Sequence, residues 1–213
     1  MAFWFYYPVG LLLRILLRLT TRWQVNGKEN IPRQGPLLVV ANHLNNVDPP
    51  LLGVSFSRRV IFMAKEELFR NRITAYFIRG FGAFPVHRGR LDTKALRLAN
   101  QLLAQGLALV MFPEGARSHS GKLRRALPGS ALVAARSGAP VLPVAITGTE
   151  KMEGITWPLH RPRITVNIGR PFSLPAINNR LTKAELAEHT DLIMSRIAEL
   201  LPERYRGEYG HDN

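Results

Sequence analysis

"VVANHLNNVDPPLLG", residues 39–53, begins as a buried strand does and then sets an Asn-His pair where the apolar run stops, with an aspartate five residues beyond the histidine. Residues five apart on one regular helix point about 140° away from each other, given 3.6 residues per turn. A loop between the strand and the following helix must therefore bring His43 and Asp48 together. If it does, the carboxylate accepts a hydrogen bond from one imidazole nitrogen. That bond fixes the tautomer and supports the cation formed when the other nitrogen takes a proton. So placed, the pair reads as a general base; the alternative is a loop histidine and a helix-capping aspartate with no shared task.

The same strand-then-helix pattern continues outward. "PLLVVAN" (36–42), "RVIFMAK" (59–65), "LALVMFP" (107–113), "APVLPVAITG" (139–148) and "RITVNIG" (163–169) read as strands of a largely buried sheet. Between them, "DPPLLGVSF" opens a helix with Asp48 as N-cap and Pro49 at its first position. "LDTKALRLANQLLAQG" carries Leu91, Ala95, Leu98 and Leu102 on one stripe, and the short "PGSALVAARSG" closes at Gly138. A last helix follows from "LTKAELAEHTDLIMSRIAELL". The fold class is α/β, a central mostly parallel or mixed sheet flanked by helices. With 213 residues the chain suffices for one domain and falls short of two comfortable ones. "RGEYGHDN" at the end reads as a frayed tail.

"MAFWFYYPVGLLLRILLRLTTRW" at the N-terminus opens with five aromatics in seven residues, and Arg14, Arg18 and Arg22 then recur at i, i+4, i+8 among leucines. The uncharged run before Arg14 is too short for a bilayer span of about 20 residues, and no small-residue cleavage site follows it. We read an amphipathic helix in the membrane interface, with Trp4, Tyr6 and Tyr7 at headgroup depth and the arginines facing anionic lipid. A helix docked on the domain and a short tilted anchor are the other readings of the same pattern.

A count of 29 Lys+Arg against 15 Asp+Glu gives +14, mostly from arginine, whose planar fork suits phosphate. An anionic partner follows: nucleic acid, a membrane surface or a phosphorylated small molecule. The absence of cysteine removes disulfides, thiolate nucleophiles and thiolate metal sites together, which fits a reducing compartment and speaks against secretion.

Two further turns leave apolar runs. "FPEGARS" (112–118) has Gly115, which lets the backbone come close to a ligand, and Arg117, which can point at an anion. "GAFPVHRGR" (82–90) supplies Arg88 and Arg90 in a glycine-punctuated turn, Arg90 reading as a solvated surface charge. Three polar turns of this kind are expected around one cleft at a sheet edge.

Taken together these blocks resemble the glycerolipid acyltransferases typified by bacterial 1-acylglycerol-3-phosphate acyltransferase, over about residues 25–170. The Asn-His-x-x-x-x-Asp block falls on Asn42, His43 and Asp48; a Gly-started turn ending in Arg on Gly82 to Arg88; Phe-Pro-Glu-Gly-Thr-Arg-Ser on Phe112 to Ser118; and an apolar run around a proline on "VLPVAITG" with Pro143. Ala116 replaces the usual Thr, and Pro85 and His87 stand where Phe and a charged residue are frequent. The resemblance implies that His43, held by Asp48, deprotonates the free hydroxyl of a lysophospholipid as it attacks the thioester of acyl-CoA or acyl-carrier protein. Arg88 and Arg117 would clamp the acceptor phosphate, Glu114 and Gly115 would shape that turn, and Lys65 is a weaker addition. No metal or other cofactor is called for. The expected division is an interfacial segment over 1–24 and an acyltransferase domain over 25–213, at the cytoplasmic face of the cell membrane.

The acceptor expected is 1-acylglycerol-3-phosphate, acylated at its sn-2 hydroxyl to phosphatidic acid, with another lysophospholipid or glycerol-3-phosphate as the alternative. The sequence has no Gly-x-Ser-x-Gly elbow and no cysteine, leaving Ser118 and Ser130 as the only nucleophiles weighed for a covalent route. A nucleic-acid-binding role would explain the charge but would leave the aromatic N-terminus idle, and no homeodomain, zinc-finger or RNA-recognition signature is present. A His/Asp metallohydrolase is disfavoured because the histidines at 43, 87, 119, 160, 189 and 211 never group at ligand spacing.

Overall fold

Seven strands form one sheet in the order β1-β7-β6-β2-β5-β3-β4, as seen in a computed structural model that describes residues 6–87, 92–175 and 181–210. The strands are β1 (Arg22–Asn26), β2 (Leu37–Ala41), β3 (Val60–Lys65), β4 (Ala83–Val86), β5 (Ala108–Met111), β6 (Val141–Thr147) and β7 (Arg163–Ile168). Every pairing is parallel except β6 with β7. The helices are α1 (Tyr6–Thr20), α2 (Asp48–Ser55), α3 (Arg72–Gly80), α4 (Thr93–Ala104), α5 (Gly129–Ser137), α6 (Trp157–His160) and α7 (Lys183–Ala198).

Helices cover both faces of the sheet, which explains why its central strands read as unbroken apolar runs and not as alternating ones. All five residues of β2 are buried. Leu38 and Val40 join α4, α5 and α7 in one core, while Leu37, Val39 and Ala41 join α1 and α2 in the other. The five strands expected from the sequence are present within one or two residues of their ends. Gly138, with φ 62°, caps α5 in the left-handed conformation that closing a helix on glycine requires. Of the stripe foreseen on α4, Ala95 and Leu102 are buried and Leu98 packs at the core's margin, while Leu91 lies outside the described residues.

Two short strands and two helices, α3 and α6, escaped the sequence reading. β1 alternates exposed and half-buried residues at one sheet edge, and β4 sits at the other, where Pro85 removes no ladder bond that the edge needs. α3 begins at Asn71, whose side chain accepts from Ile73 N and Thr74 N, both at 3.0 Å.

The N-terminal helix corrects three expectations. Tyr6 is buried rather than at headgroup depth: its hydroxyl donates to Gly53 O (3.1 Å), accepts from Val60 N (3.3 Å), and its ring stacks on Phe81. Arg14 is turned onto α2 through its Nε bond to Val54 O (3.1 Å). Arg22 is not on the helix at all. Thr20 and Thr21 return their hydroxyls to the carbonyls of Leu16 and Leu17, the helix stops, and Arg22 opens β1. Residues 22–24, grouped by sequence with the N-terminal segment, are therefore part of the sheet. One side of α1 packs on α2, yet Tyr7, Leu11, Leu12, Ile15, Leu16 and Leu19 stay exposed on the other. Trp4 lies outside the described residues, among which no helix is long and apolar enough to cross a membrane.

The tail is the fourth correction. Tyr205 is buried, Leu123 N donates to Tyr205 O (2.7 Å), and Tyr205 Oη donates to Glu150 Oε1 (2.7 Å). Gly207 lies so close to Leu123 that a β-carbon would collide with its carbonyl. Residues 206–210 are thus pinned against the segment that follows "FPEGARS".

Candidate active site

Two loops meet at the carboxyl end of the sheet, one leaving β2 and one leaving β5. His43 Nδ1 lies 2.8 Å from Asp48 Oδ2, and both side chains are buried. The expected N-cap does not form. Pro49 and Pro50 have no N–H to offer a cap and Leu51 N already bonds Val47 O, so the Asp48 carboxylate turns back to the loop. There Oδ2 accepts from Leu44 N (2.6 Å) and Asn45 N (2.7 Å) as well as from the imidazole. With two backbone N–H groups already donating to that oxygen, Nδ1 is the donor in the pair and Nε2 is left as the acceptor. Asp48 Oδ1 is buried with no hydrogen-bond partner among the described residues.

The imidazole rests on Phe112, ring centroids 4.2 Å apart and 23° from coplanar. Main-chain bonds lock the two loops: His43 N donates to Glu114 Oε1 (2.9 Å), and Ser118 N donates to His43 O (2.7 Å). Glu114 Oε2 accepts from Arg124 N (2.9 Å), so one carboxylate spans both loops. Its burial pushes the pKa up to about 7, against the pull of the His43 and Arg124 N–H groups and the Arg124 charge. Asn42 fastens the strand beneath, donating to Ile146 O (2.8 Å) and accepting from Ile146 N (2.7 Å).

A cavity of about 380 Å³ opens beside this dyad. Its walls are mainly apolar, with Met63, Val86, Leu96, Met111, Phe112 and Leu127 among them. Phe112 both stacks on His43 and lines this space, so one aromatic ring joins the imidazole to the cavity wall. Gly115 borders it with φ 68°, where a β-carbon would also approach Leu127 Cδ1 to 2.6 Å. Ser130 Oγ, buried in the wall, has no hydrogen-bond partner among the described residues.

The structure brings together His43, Asp48, Glu114 and Gly115. Arg117 stands on the same loop as Glu114, half-buried, and no acidic side chain among the described residues lies within ion-pair distance of it. Lys65, at the carboxyl end of β3, is half-exposed and paired with Glu67 (3.1 Å). Arg88 and Arg90 lie outside the described residues, but His87, directly before them, lines the cavity, so the third turn approaches the same cleft. Ser118 Oγ is spent on Lys122 O (2.6 Å), which removes it as a nucleophile. Among the described residues no three His, Asp or Glu side chains gather as a metal site.

Sequence reasoning missed two supports. Asn45, whose Nδ2 donates to Thr149 O (3.0 Å), ties the His43 loop to the turn after β6; an Asn two residues past the histidine was its only trace. Phe112 serves as the platform for the imidazole, which its position in an apolar strand end conceals.

The model of the family described as Acyltransferase matches residues 22–147. The chain is 34% identical over 164 residues to a 1-acyl-sn-glycerol-3-phosphate acyltransferase of Streptococcus pneumoniae, covering 73% of this chain and 60% of that protein. It is 29% identical to the protein of that name from Bacillus subtilis, covering 88% of this chain and 92% of the relative. The crystal structure of the 1-acyl-sn-glycerophosphate (LPA) acyltransferase PlsC from Thermotoga maritima superimposes with a TM-score of 0.71 at 27% identity, over 92% of this chain and 78% of that one. With the family model covering more than half its length, the chain belongs to the Acyltransferase family.

Proposed function

We propose that the protein transfers a fatty acyl group from acyl-CoA or acyl-carrier protein to the sn-2 hydroxyl of 1-acylglycerol-3-phosphate, giving phosphatidic acid. The observation that carries this reading is the buried His43–Asp48 pair, whose imidazole stacks on Phe112 in the wall of an apolar cavity. The names of the relatives support the acceptor.

In this mechanism His43 Nε2 takes the hydroxyl proton as the oxygen attacks the thioester carbonyl. Asp48 holds the ring and balances the imidazolium. The tetrahedral intermediate collapses, the carbon–sulfur bond breaks, and the leaving thiolate takes the proton back from Nε2, so no acyl-enzyme forms. The cavity beyond Phe112 receives an acyl chain. Arg117, with Arg88 from the neighbouring turn, binds the acceptor phosphate through its fork. Lys65 lends positive charge to the cleft, and Glu114 and Gly115 keep the Arg117 loop in place against His43.

Within the N-terminal segment the outer side of α1 forms the membrane contact, on the cytoplasmic face, and the sheet from Arg22 onward belongs to the acyltransferase domain. Exposed leucines such as Leu19, at 68%, support that contact, since an apolar strip of this kind marks an interaction surface. The test is an assay of purified protein against a panel of lysolipids and glycerol-3-phosphate with both donors. Acylation of 1-acylglycerol-3-phosphate is expected, abolished or reduced by at least about 10²–10⁴-fold in His43→Ala. Undiminished turnover in that variant would sink the mechanism.

A further inference from the structure

We propose that a second cavity, about 530 Å³ and distinct from the acceptor site, binds the phosphate headgroup of an anionic phospholipid; this rests on the reading that the enzyme works on a bilayer surface. It lies where β1 and β7 begin, beside α6, and Arg22, Lys151, His160, Arg161 and Arg163 line it with Glu153 as its one acid. Among the described residues no acidic side chain forms an ion pair with any of the four Arg and Lys cations.

Arg22 and Arg163 are register partners on neighbouring parallel strands, so two like charges stand side by side at a sheet edge. Such a pair repels, and a bound anion removes the repulsion. Arg161 is the one described non-glycine residue with positive φ, at 41°, and this sparsely populated conformation sends its Nη2 to Arg18 O (3.3 Å) at the end of α1. Strain of that kind holds a third cation at the same socket.

What selects a lipid over free phosphate is the rim. Ile155 is 94% exposed and Leu159 84% exposed, two large apolar side chains almost wholly in solvent, on the segment that joins Lys151 to Arg161. Basic groups flanked by apolar pegs match the boundary between headgroups and acyl chains. The site also has an orientation. Because β6 and β7 are antiparallel, Arg163 and Arg22 stand at the sheet end where the His43 loop leaves β2. Asn45 fastens that loop to the carbonyls of Thr149 and Met152, either side of Lys151. A lipid held here sets the catalytic rim against the bilayer.

Co-sedimentation with phosphatidylcholine vesicles, with and without phosphatidylglycerol, tests this on the full chain. Arg161→Gly with Arg163→Gln removes two cations while glycine keeps the backbone conformation. Arg97→Gln with Arg136→Gln removes the same charge from α4 and α5 in the opposite layer. The first pair is expected to weaken binding to anionic vesicles by about tenfold or more, and the second to change it less than about twofold. Ile155→Ser with Leu159→Ser is expected to weaken binding to both vesicle types. Every variant should still turn over a water-soluble short-chain acceptor, which reports folding. Equal losses in the two arginine pairs would mean diffuse attraction and overturn the site, as would anionic binding unaffected by the serine pair, the behaviour of a free-phosphate site. Wild-type protein that binds neither vesicle while acylating the soluble acceptor would overturn the site and the bilayer reading and leave the chemistry standing.

Discussion

Glu114 grips the main chain of His43 and leaves its ring alone: Oε1 accepts from His43 N while Oε2 accepts from Arg124 N, each at 2.9 Å. Burial lifts this carboxyl to about 7 from an ordinary 4.5. A folded-state pKa raised in this way gives stability that is full below the unfolded value and is lost as pH rises through the folded one. For Glu114 that window runs from about 4.5 to about 7, and the shift corresponds to roughly 3 kcal/mol at most.

Glu114→Gln cannot titrate, and its amide nitrogen cannot accept, so one of the two N–H groups loses its partner at a cost of about 1–3 kcal/mol. Denaturant melts should show the variant less stable than wild type at pH 5, with the gap narrowing toward pH 8. A gap that widens with pH would show that Glu114 is ionised throughout.

Asp48→Asn separates charge from geometry. All three bonds fall on Oδ2, and Oδ1 has no partner among the described residues. An asparagine can therefore put its carbonyl oxygen where Oδ2 stands and keep every bond, with its NH₂ in the unpartnered position. Stability should change by no more than about 1–2 kcal/mol, while kcat falls about 10²–10⁴-fold because the imidazolium has lost its counter-charge. Loss of folding alongside loss of turnover would make the aspartate a structural post only.

Arg117→Lys should raise the acceptor KM and leave the donor KM nearly unchanged, since an ammonium cannot reproduce a two-pronged contact to phosphate. Steady-state kinetics with each substrate varied decides this. Equal weakening of both would assign Arg117 to the loop or to the donor.

The sequence carried the His43–Asp48 pair because an apolar strand that stops on polar residues is visible without coordinates. The central strands were visible too, since burial on both faces leaves long runs such as "PLLVVAN". Most of what stayed hidden depended on distant partners. Arg22 reads as helix until its bond to Pro162 O, far along the chain, is known. Asp48 reads as a cap until the two prolines are seen to have no donors for it. The tail reads as loose until Leu123 is found beneath it. Periodicity reports the face a residue presents; Arg22 and the tail are placed by contacts across the fold, whereas Asp48 is placed by the prolines and loop donors beside it in the sequence.

Removing residues 1–22 would take Tyr6 and Leu17 out of the core and is expected to unfold the protein. Substituting Leu12, Leu16 and Leu19 with serine leaves those packed residues in place. The triple variant should keep its melting temperature within a few degrees, bind vesicles less and lose activity on vesicle-borne acceptor more than on a soluble one. Unchanged vesicle binding would move the membrane contact to another surface.

One reversed strand decides which way the amino-terminal helix travels. Had β7 run with β6, its parallel partner β1 would begin at the opposite pole of the sheet, and α1 would deliver its last turn there. As built, α1 starts near Gly53 and Val60, at the pole remote from the dyad, and ends at Thr20 beside the strand starts on the dyad's side. The helix thus lies along the full depth of the domain like a keel, and a plane laid against its outer side meets the rim of the cleft at one end. If that side rests on a bilayer, as proposed, rotation about the keel, rather than depth of insertion, becomes the coordinate that sets how far a lipid must rise to reach His43.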